Sequence, residues 1–359
     1  MAHDPPILRG RGTHTNPPNR FVAIRVENDF EHFENDEEFV EGLSSHPTQY
    51  FVDSSRTIIA TNDSPDVGFT HSINPYRGCS HGCVYCYARI SHEYLGFSSG
   101  LDFETRIMVK QDAPELLRRE LMSPRYEPVG LTISGVTDCY QPAEKRFRIT
   151  RRCLEVLAEF GNPVAIITKN HLVTRDIDLL AKLAAHNAAM VTLSVTTLDA
   201  DLARKMEPRT SSPRRRLEAI RELSSAGIPV GVMVAPVIPG LTDHEMPAIL
   251  KAAADAGATC AGFTPLRLAL SIAGLFERWL TDHFPDRKDK VLNRIRSLRG
   301  GKLNDPNFHS RMRGQGIWAD QLKTMFEFGK KAAGITASFL QLSTAAFRRP
   351  GDQMNLFGG

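Results

Sequence analysis

Three features that would each define a protein class are missing from this sequence. It has no long hydrophobic run that could form a membrane-spanning helix, because the uncharged and largely apolar stretch of residues 227–241 contains three prolines. Its first residues contain no hydrophobic signal core. The net charge is only +3, too small to indicate a nucleic-acid partner by itself. We therefore expect a soluble protein that has no membrane partner.

Cysteine is also sparse, with six residues in a chain of 359. A chain of this length buries enough core to fold without disulfides, so we expect free thiols and a cytoplasmic location. Three of the six, Cys79, Cys83 and Cys86, share one short loop with the spacing C-x3-C-x2-C. Structural zinc favours Cys3His ligand sets, and His81 or His92 is the available fourth ligand. Zinc motifs usually contain two separated pairs, however, and no second pair follows in the sequence.

Three thiolates are one fewer than a 4Fe–4S cluster normally uses, so one iron would remain open to a ligand that is not protein. The spacing, with Tyr85 just before the last cysteine, resembles the radical S-adenosylmethionine (SAM) superfamily. That resemblance implies that Cys79, Cys83 and Cys86 bind a 4Fe–4S cluster whose open iron chelates SAM. It implies that an electron from the cluster splits SAM into methionine and a 5′-deoxyadenosyl radical. It also implies a reductant such as flavodoxin or ferredoxin.

The remaining sequence predicts an α/β fold. Apolar runs at residues 129–134, 164–168, 191–195, 230–234 and 260–264, with one leading into Asn74, alternate with helical patterns, which is typical of parallel βαβ units. Six such units are counted, and the superfamily resemblance implies a partial (β/α)6 TIM-like barrel. Ser212 and Pro213 predict the start of one helix, and Thr242 and Glu245 predict a capping box on another.

The predicted organisation has four parts. They are a partly acidic N-terminal extension (residues 1–66), the barrel (67–285), a C-terminal helical region (286–346) and a flexible tail (347–359).

Polar residues at the ends of predicted strands are the candidates for binding SAM, since ligands bind at the carboxyl ends of parallel strands. They are Ser134, Gly135, Thr137 and Asp138 after the second strand, Lys169 after the third, and Ser194 and Thr196 on the fourth. Glycine allows close approach to a ligand, Asp138 offers a charge to the SAM ammonium, and Lys169 offers one to the carboxylate. The alternative is that these are ordinary turn and core residues.

Together, the Cys-x-Tyr-Cys-Tyr motif, the Thr-Asp pair, the Thr-Lys pair and Ser194 resemble the spore photoproduct lyase family. That resemblance implies that Tyr85, Tyr87, Asp138, Lys169 and Ser194 lie against SAM. The Arg-Gly-Arg-Gly of residues 9–12 and the Asn-Pro-Tyr-Arg-Gly of residues 74–78 resemble an uncharacterised bacterial branch related to it.

One cysteine departs from the lyase pattern. The lyases carry a hydrogen-donor cysteine just before the Ser-Asp pair, whereas here Cys139 follows Asp138. Cys139 is either a hydrogen donor that faces the cavity or a small buried filler, the commoner fate of a free cysteine.

Two features favour a nucleic-acid substrate. Arginines cluster at residues 146–152 and 214–216, where they either hold phosphates or form a solvated, salt-bridged face. The segment from Gln353 to Phe357 resembles the peptide with which bacterial repair proteins bind the sliding clamp. The leading hypothesis is a radical SAM enzyme that acts on DNA, as in repair. The alternatives are modification of RNA, a peptide or a small metabolite, and an iron–sulfur electron-transfer protein without SAM turnover.

Overall fold

The computed structural model of the protein describes residues 10–21 and 47–351. Within these ranges ten strands form two sheets: β1 (Gln49–Val52), β2 (Ile59–Thr61), β3 (His71–Ile73), β4 (Tyr76–Arg77), β5 (Arg106–Val109), β6 (Leu131–Ile133), β7 (Val164–Thr168), β8 (Ala189–Ser194), β9 (Val230–Val237) and β10 (Cys260–Pro265).

Twelve α-helices are present in the same ranges: α1 (Leu101–Thr105), α2 (Ala113–Met122), α3 (Ala143–Phe147), α4 (Ile149–Phe160), α5 (Ile177–Ala184), α6 (Ala200–Met206), α7 (Pro213–Ser225), α8 (Met246–Asp255), α9 (Ser271–His283), α10 (Pro285–Leu298), α11 (Ser310–Arg313) and α12 (Ile317–Ala332). Short 3₁₀ segments occupy Tyr87–Leu95, His171–Asp176 and Asp243–Glu245.

The larger sheet has seven strands in the order β10-β9-β8-β7-β6-β3-β2. Six of them are parallel to one another, namely β3, β6, β7, β8, β9 and β10, and β2 pairs with β3 in the antiparallel direction. The central strands are covered on both faces, and every residue of β8 is buried. This confirms the predicted α/β fold with six parallel strands. All carboxyl ends of these strands meet at one edge, where the cysteine loop also lies.

Helix boundaries follow local chemistry in one case and not in another. The hydroxyl of Ser212 accepts a hydrogen bond from Arg215 N at the start of α7, as predicted. The capping box predicted for α8 is wrong, because the Thr242 hydroxyl accepts from Ile238 N at 3.0 Å instead. Glu245 is likewise engaged, by Thr197. Both side chains therefore join α8 to neighbouring loops.

The predicted ends of the chain need correction. Residues 49–61 supply β1 to the smaller sheet and β2 to the larger one, so they are integral parts of the fold. Phe347 packs against Tyr126 and Phe160, with ring centroids 5.8 and 6.1 Å away, and Arg349 donates to Tyr126 O at 2.9 Å. The tail therefore does not begin at residue 347. The acidic run of residues 27–41 and the peptide from Gln353 to Phe357 lie outside the described residues.

No helix in the described part of the chain is both long enough and apolar enough to cross a membrane.

Candidate cofactor site

The three cysteines of the loop lie between β4 and the 3₁₀ segment Tyr87–Leu95. Cys79 and Cys83 are buried and Cys86 is partly buried, and all three are free thiols. Backbone hydrogen bonds fix the loop, since Cys79 N donates to Phe103 O at 2.9 Å and Val84 N donates to Met206 O at 3.0 Å. The loop is therefore held from α1 on one side and from α6 on the other.

Burial raises the pKa of each of the three thiols. Asp138 and Cys86 raise the pKa of Cys79 further, and Glu207 does the same for Cys83. Cys86 packs against the hydrophobic cluster that contains Cys83 and against the one that contains Cys79, so the three cysteines lie in one region of the loop. Such a group suits a metal cation, since a coordinating thiol is deprotonated outright.

His81 is engaged inside the protein. Its Nδ1 lies 3.4 Å from Asp138 Oδ2, and its Nε2 forms a 3.1 Å hydrogen bond with Asn170 Nδ2. Asp138 also accepts hydrogen bonds of 2.8 Å from the Thr168 hydroxyl and from Lys169 N. Burial opposes ionisation of Asp138, but His81 and these hydrogen bonds outweigh it and hold its pKa below the usual value. His81 therefore orients an ionised Asp138.

His92, the other histidine considered for zinc, lies in an aromatic pocket. Its ring centroid is 5.1 Å from that of Phe97 and 5.6 Å from that of Phe103, and burial lowers its pKa to about 4. In the described ranges, no three His, Cys, Asp or Glu side chains are arranged to hold a single metal ion. A 4Fe–4S cluster makes a different demand, because its thiolates bind separate irons.

A buried polar network lies beside the cysteine loop, near the carboxyl ends of β7 and β8. At its centre, the Glu207 carboxylate forms a salt bridge with Arg216. The same carboxylate accepts hydrogen bonds from the hydroxyls of Tyr85 and Thr196, the second at 2.7 Å. Glu207 was not identified from the sequence, since a single glutamate after a helix carries no signal. The network brings Tyr85 and Thr196 together, with both hydroxyls bound to Glu207.

Lys169 lies at the edge of this network. Its Nζ donates to Ala235 O at 3.0 Å and lies 3.8 Å from Glu207 Oε1. Burial and the nearby Arg216 cation lower its pKa to about 8. Ser194, the last residue of β8, is buried at the same edge. The ammonium group is thus mostly charged at neutral pH and is available to an anionic ligand.

The loop after β6 is shaped by its own side chains. Ser134 has a φ of +79°, and its hydroxyl accepts from Cys139 N at 2.8 Å. The Thr137 hydroxyl donates to Tyr76 O at 2.7 Å. These two hydroxyls therefore support the loop backbone and are engaged in doing so.

Tyr87 and Gly135 join the cysteine loop to this loop. The Tyr87 phenol donates to Gly135 O at 2.8 Å, while 55% of the Tyr87 surface is exposed. One face of the ring is therefore open at the mouth of the barrel.

Cys139 lies in the main hydrophobic core and is fully buried. Burial raises the pKa of its thiol well above the usual value, and Ser134 is its hydrogen-bond partner. This placement favours the interpretation of Cys139 as a small buried filler over that of a hydrogen donor facing the cavity.

One arginine of each cluster forms salt bridges with buried carboxylates. Arg151 pairs with Asp176 at 2.9 Å and with Asp178 at 2.8 Å. Arg216 is buried with its partner Glu207. These pairs favour the salt-bridged alternative for Arg151 and Arg216, whereas Arg146, Arg148 and Arg214 are exposed.

Arg267, which follows β10, was missed because a single arginine after a strand has no distinctive pattern. Its Nη1 lies 3.0 Å from Met312 Sδ, and its buried Nε has no hydrogen-bond partner. No carboxylate of the described residues pairs with it. Burial and Arg311 lower the pKa of Arg267, and Tyr87 lies within its electrostatic reach. An unpaired guanidinium of this kind favours an anionic group.

Comparison with known proteins decides the family. The profile described as the radical SAM superfamily matches residues 73–253, which span half of the chain and include the whole cysteine loop. The chain belongs to the radical SAM superfamily. Members of this superfamily use a 4Fe–4S cluster and SAM.

An uncharacterised protein of Mycobacterium tuberculosis is 38% identical to this radical SAM protein over 248 residues, which are 68% of this chain and 72% of the relative. The radical SAM Nalpha-GlyT isomerase of Pseudomonas phage M6 is 30% identical over 173 residues, 48% of this chain and 34% of that protein. A spore photoproduct lyase has a similar fold, with a TM-score of 0.57 and 17% identity over 79% of this chain and 78% of that one.

The residues fit both cofactors of the family. The three cysteines lie in one region of one loop, and His81 of that loop contacts the ionised Asp138. Asp138 in turn binds the backbone of the cationic Lys169. Thiolates are the ligands of iron–sulfur clusters, and an anion with a cation suits the amino and carboxylate groups of SAM.

Proposed function

We propose that this protein is a radical SAM enzyme that acts on a nucleoside within a nucleic acid, in a repair or modification reaction. One observation carries the proposal: His81 of the cysteine loop contacts Asp138, and Asp138 in turn accepts a hydrogen bond from Lys169 N, at the carboxyl edge of six parallel strands. When bound, the cluster would supply the electron that cleaves SAM to methionine and a 5′-deoxyadenosyl radical. A reductant such as flavodoxin or ferredoxin would supply that electron to the protein.

The protein residues position the cofactors and the substrate. Cys79, Cys83 and Cys86 would hold the cluster, and Lys169 would pair with the SAM carboxylate. Asp138 fixes the backbone at Lys169 through its hydrogen bond to Lys169 N, and as an ionised group it favours the SAM ammonium. The side chains of Asp138 and Lys169 are only 12% and 16% exposed, so charge pairs with SAM would form where water screens them little.

The nucleic-acid substrate is supported by Arg267 and by the relatives. The unpaired guanidinium of Arg267 near Tyr87 suits a phosphate, and the exposed Tyr87 ring suits stacking with a base. One protein of similar fold was solved with a dinucleoside spore photoproduct. A base within a duplex would have to leave the stack to reach this mouth.

The first experiment is anaerobic reconstitution with iron and sulfide, followed by reduction in the presence of SAM and measurement of 5′-deoxyadenosine. We expect cleavage by the native protein and by Cys153→Ala, whose thiol lies in the core on α4, and none by Cys83→Ala. Absence of deoxyadenosine from the native, iron-loaded protein would instead favour an electron-transfer role.

The second experiment identifies the substrate class. It measures the transfer of deuterium from deuterated thymidine in a single-stranded oligonucleotide into the 5′-deoxyadenosine that forms from SAM. Arg267→Ala should weaken oligonucleotide binding about tenfold, the effect of losing one charge-assisted contact, while SAM cleavage without substrate persists. Arg204→Ala, at an exposed position of α6, is the matched control. Transfer from a peptide or a small metabolite, and not from the oligonucleotide, would contradict the nucleic-acid assignment.

A further inference from the structure

Residues 10–21, which we name the N-terminal strap, lie directly against the cysteine loop. The closest approach is between Gly12 and Gly82, which lies between the first two cysteines. A Cβ atom built on Gly12 would lie 1.6 Å from Gly82 O, and Gly82 itself has a φ of +70°. Only glycine fits at position 12, because the two backbones touch there.

A buried carboxylate links the strap to the loop. Glu104 accepts hydrogen bonds of 3.0 Å from Gly12 N, from Thr13 N and from the Thr13 hydroxyl. The same carboxylate pairs with Arg89 at 2.6 Å, and Arg89 Nε donates to Cys83 O at 3.0 Å. Glu104 and Arg89 are both completely buried. A continuous chain of contacts therefore runs from the strap to the backbone of a cysteine.

The second half of the strap supports the segment that follows Cys86. Leu101 N donates a hydrogen bond to Thr15 O at 3.2 Å. The neighbouring Gly100 lies so close to the strap that a Cβ atom built on it would be 2.0 Å from the same oxygen. The Asn19 amide donates to Glu93 O at 3.0 Å. Both sides of the cysteine loop are thus held by residues that lie about 70 to 90 positions away in sequence.

We propose that the N-terminal strap is a positioning element of the cluster site. It fixes the backbone of the cysteine loop so that three thiols meet one cluster, and retention of the cluster depends on it. Its residues act through Glu104, Arg89 and the loop backbone. A loop that is already ordered loses less conformational entropy when it binds, so the strap favours the loaded state. The inference rests on the proposed function only in that the loop binds the cluster.

Two pairs of variants of the full-length chain test the strap. Thr13→Val removes one hydroxyl donor to Glu104 and keeps the side-chain shape, whereas Thr13→Ser keeps the donor. Gly12→Ala forces the strap away from Gly82, whereas Gly274→Ala adds the same methyl group in α9, where nothing lies within 4 Å. After anaerobic reconstitution, we measure the iron content per chain and the EPR signal of the reduced cluster. We also measure the rate at which a chelator bleaches the cluster absorbance at about 400 nm.

We expect chelators to remove iron about tenfold faster from Gly12→Ala, which is the usual effect of changing an outer-shell partner of a metal site. For Thr13→Val we expect about a fivefold increase, which corresponds to one buried hydrogen bond. Thr13→Ser and Gly274→Ala should lose iron at the native rate. The EPR signal should change only in Gly12→Ala and Thr13→Val. Thermal unfolding of the iron-free proteins checks that all four fold.

Loss of iron at the native rate from Thr13→Val and Gly12→Ala would overturn the inference while leaving the proposed function intact. If Gly12→Ala does not fold, the Thr13 pair decides by itself. Native protein that takes up no iron would overturn both the inference and the proposed function.

Discussion

Two arginines that lie close together in the sequence can have different roles, because their environments differ. Arg214 and Arg216 are two positions apart on α7, yet 84% of the Arg214 side chain is exposed and only 1% of the Arg216 side chain. Arg216 also donates to Ser194 O at 3.0 Å, so it fixes the end of β8 as well as neutralising Glu207. Its charge therefore serves the interior of the cofactor site.

Replacing Arg216 should be strongly destabilising. Arg216→Met leaves Glu207 buried without its charge partner, and we expect the free energy of unfolding to fall by about 3 kcal/mol. Adding Glu207→Gln should recover part of that loss, because the uncompensated charge is then absent. Arg214→Met, the control on the same helix, should stay within about 0.5 kcal/mol of the native protein. Urea denaturation of the iron-free proteins measures all three, and equal losses for the two arginines would contradict the assignment.

Replacing Cys139 should affect stability but leave the chemistry intact. The thiol lies in the core, so Cys139→Ala should cost about 1 kcal/mol of unfolding free energy through a small cavity. Deoxyadenosine formation and the distribution of products should match those of the native protein. A change of product with retained SAM cleavage would show that this cysteine does reach the substrate radical.

At the element scale, short helices hold the cofactor loops in place. Helix α6 begins at a cap in which the Asp199 carboxylate accepts from Asp201 N at 2.8 Å and from Leu202 N at 3.1 Å. The helix ends at Met206, whose carbonyl holds Val84 of the cysteine loop. The start of this helix therefore bears on the geometry of the loop.

The cap of α6 gives a prediction with a conservative control. Asp199→Ala should lower the free energy of unfolding by about 1 kcal/mol, because two backbone N–H groups lose their acceptor. Asp199→Asn should retain most of the stability, since asparagine is an equally good cap. Urea denaturation distinguishes these outcomes, and equal effects of alanine and asparagine would argue against capping as the cause.

At the scale of the whole molecule, a contact joins the two edges of the open barrel. Asp66, in the loop between β2 and β3, forms a salt bridge with Arg311 and accepts a hydrogen bond from His309 N. The segment that carries Arg311 lies next to β10, because Arg299 donates both to Arg311 O at 2.7 Å and to Leu266 O at 3.1 Å. The loop that leads into the first parallel strand is therefore linked to the segment beside the last one.

Breaking this link should loosen the segment that carries Arg311 locally. Asp66→Asn removes the charge that pairs with Arg311, and we expect hydrogen exchange at residues 307–313 to become roughly tenfold faster. The exposed Asp63 lies in the same loop, so Asp63→Asn is the matched control. Exchange in β7 and β8 should be unchanged in both variants, because these strands lie at the centre of the sheet. Uniformly faster exchange would indicate global destabilisation instead.

The sequence by itself determined the features that depend on residues close together in the chain. The C-x3-C-x2-C spacing identified the cysteine loop, and the buried apolar runs identified the parallel strands, because a strand covered on both faces must be apolar along its length. The rim position of Lys169 followed from its place at a strand end. These inferences needed only local pattern and the rule that parallel strands end at one edge.

Only the tertiary structure decided which distant residues meet. Glu104 contacts Gly12, which is 92 positions away in the sequence, and Arg89, which is 15 positions away. Glu207 contacts Tyr85, which is 122 positions away, and Arg216, which is 9 positions away. The Thr242 hydroxyl found a backbone partner other than the predicted cap, and Cys139 lies in the main hydrophobic core. Such contacts are fixed by how the whole chain packs, because a buried polar group takes whichever partner the fold brings within hydrogen-bonding distance.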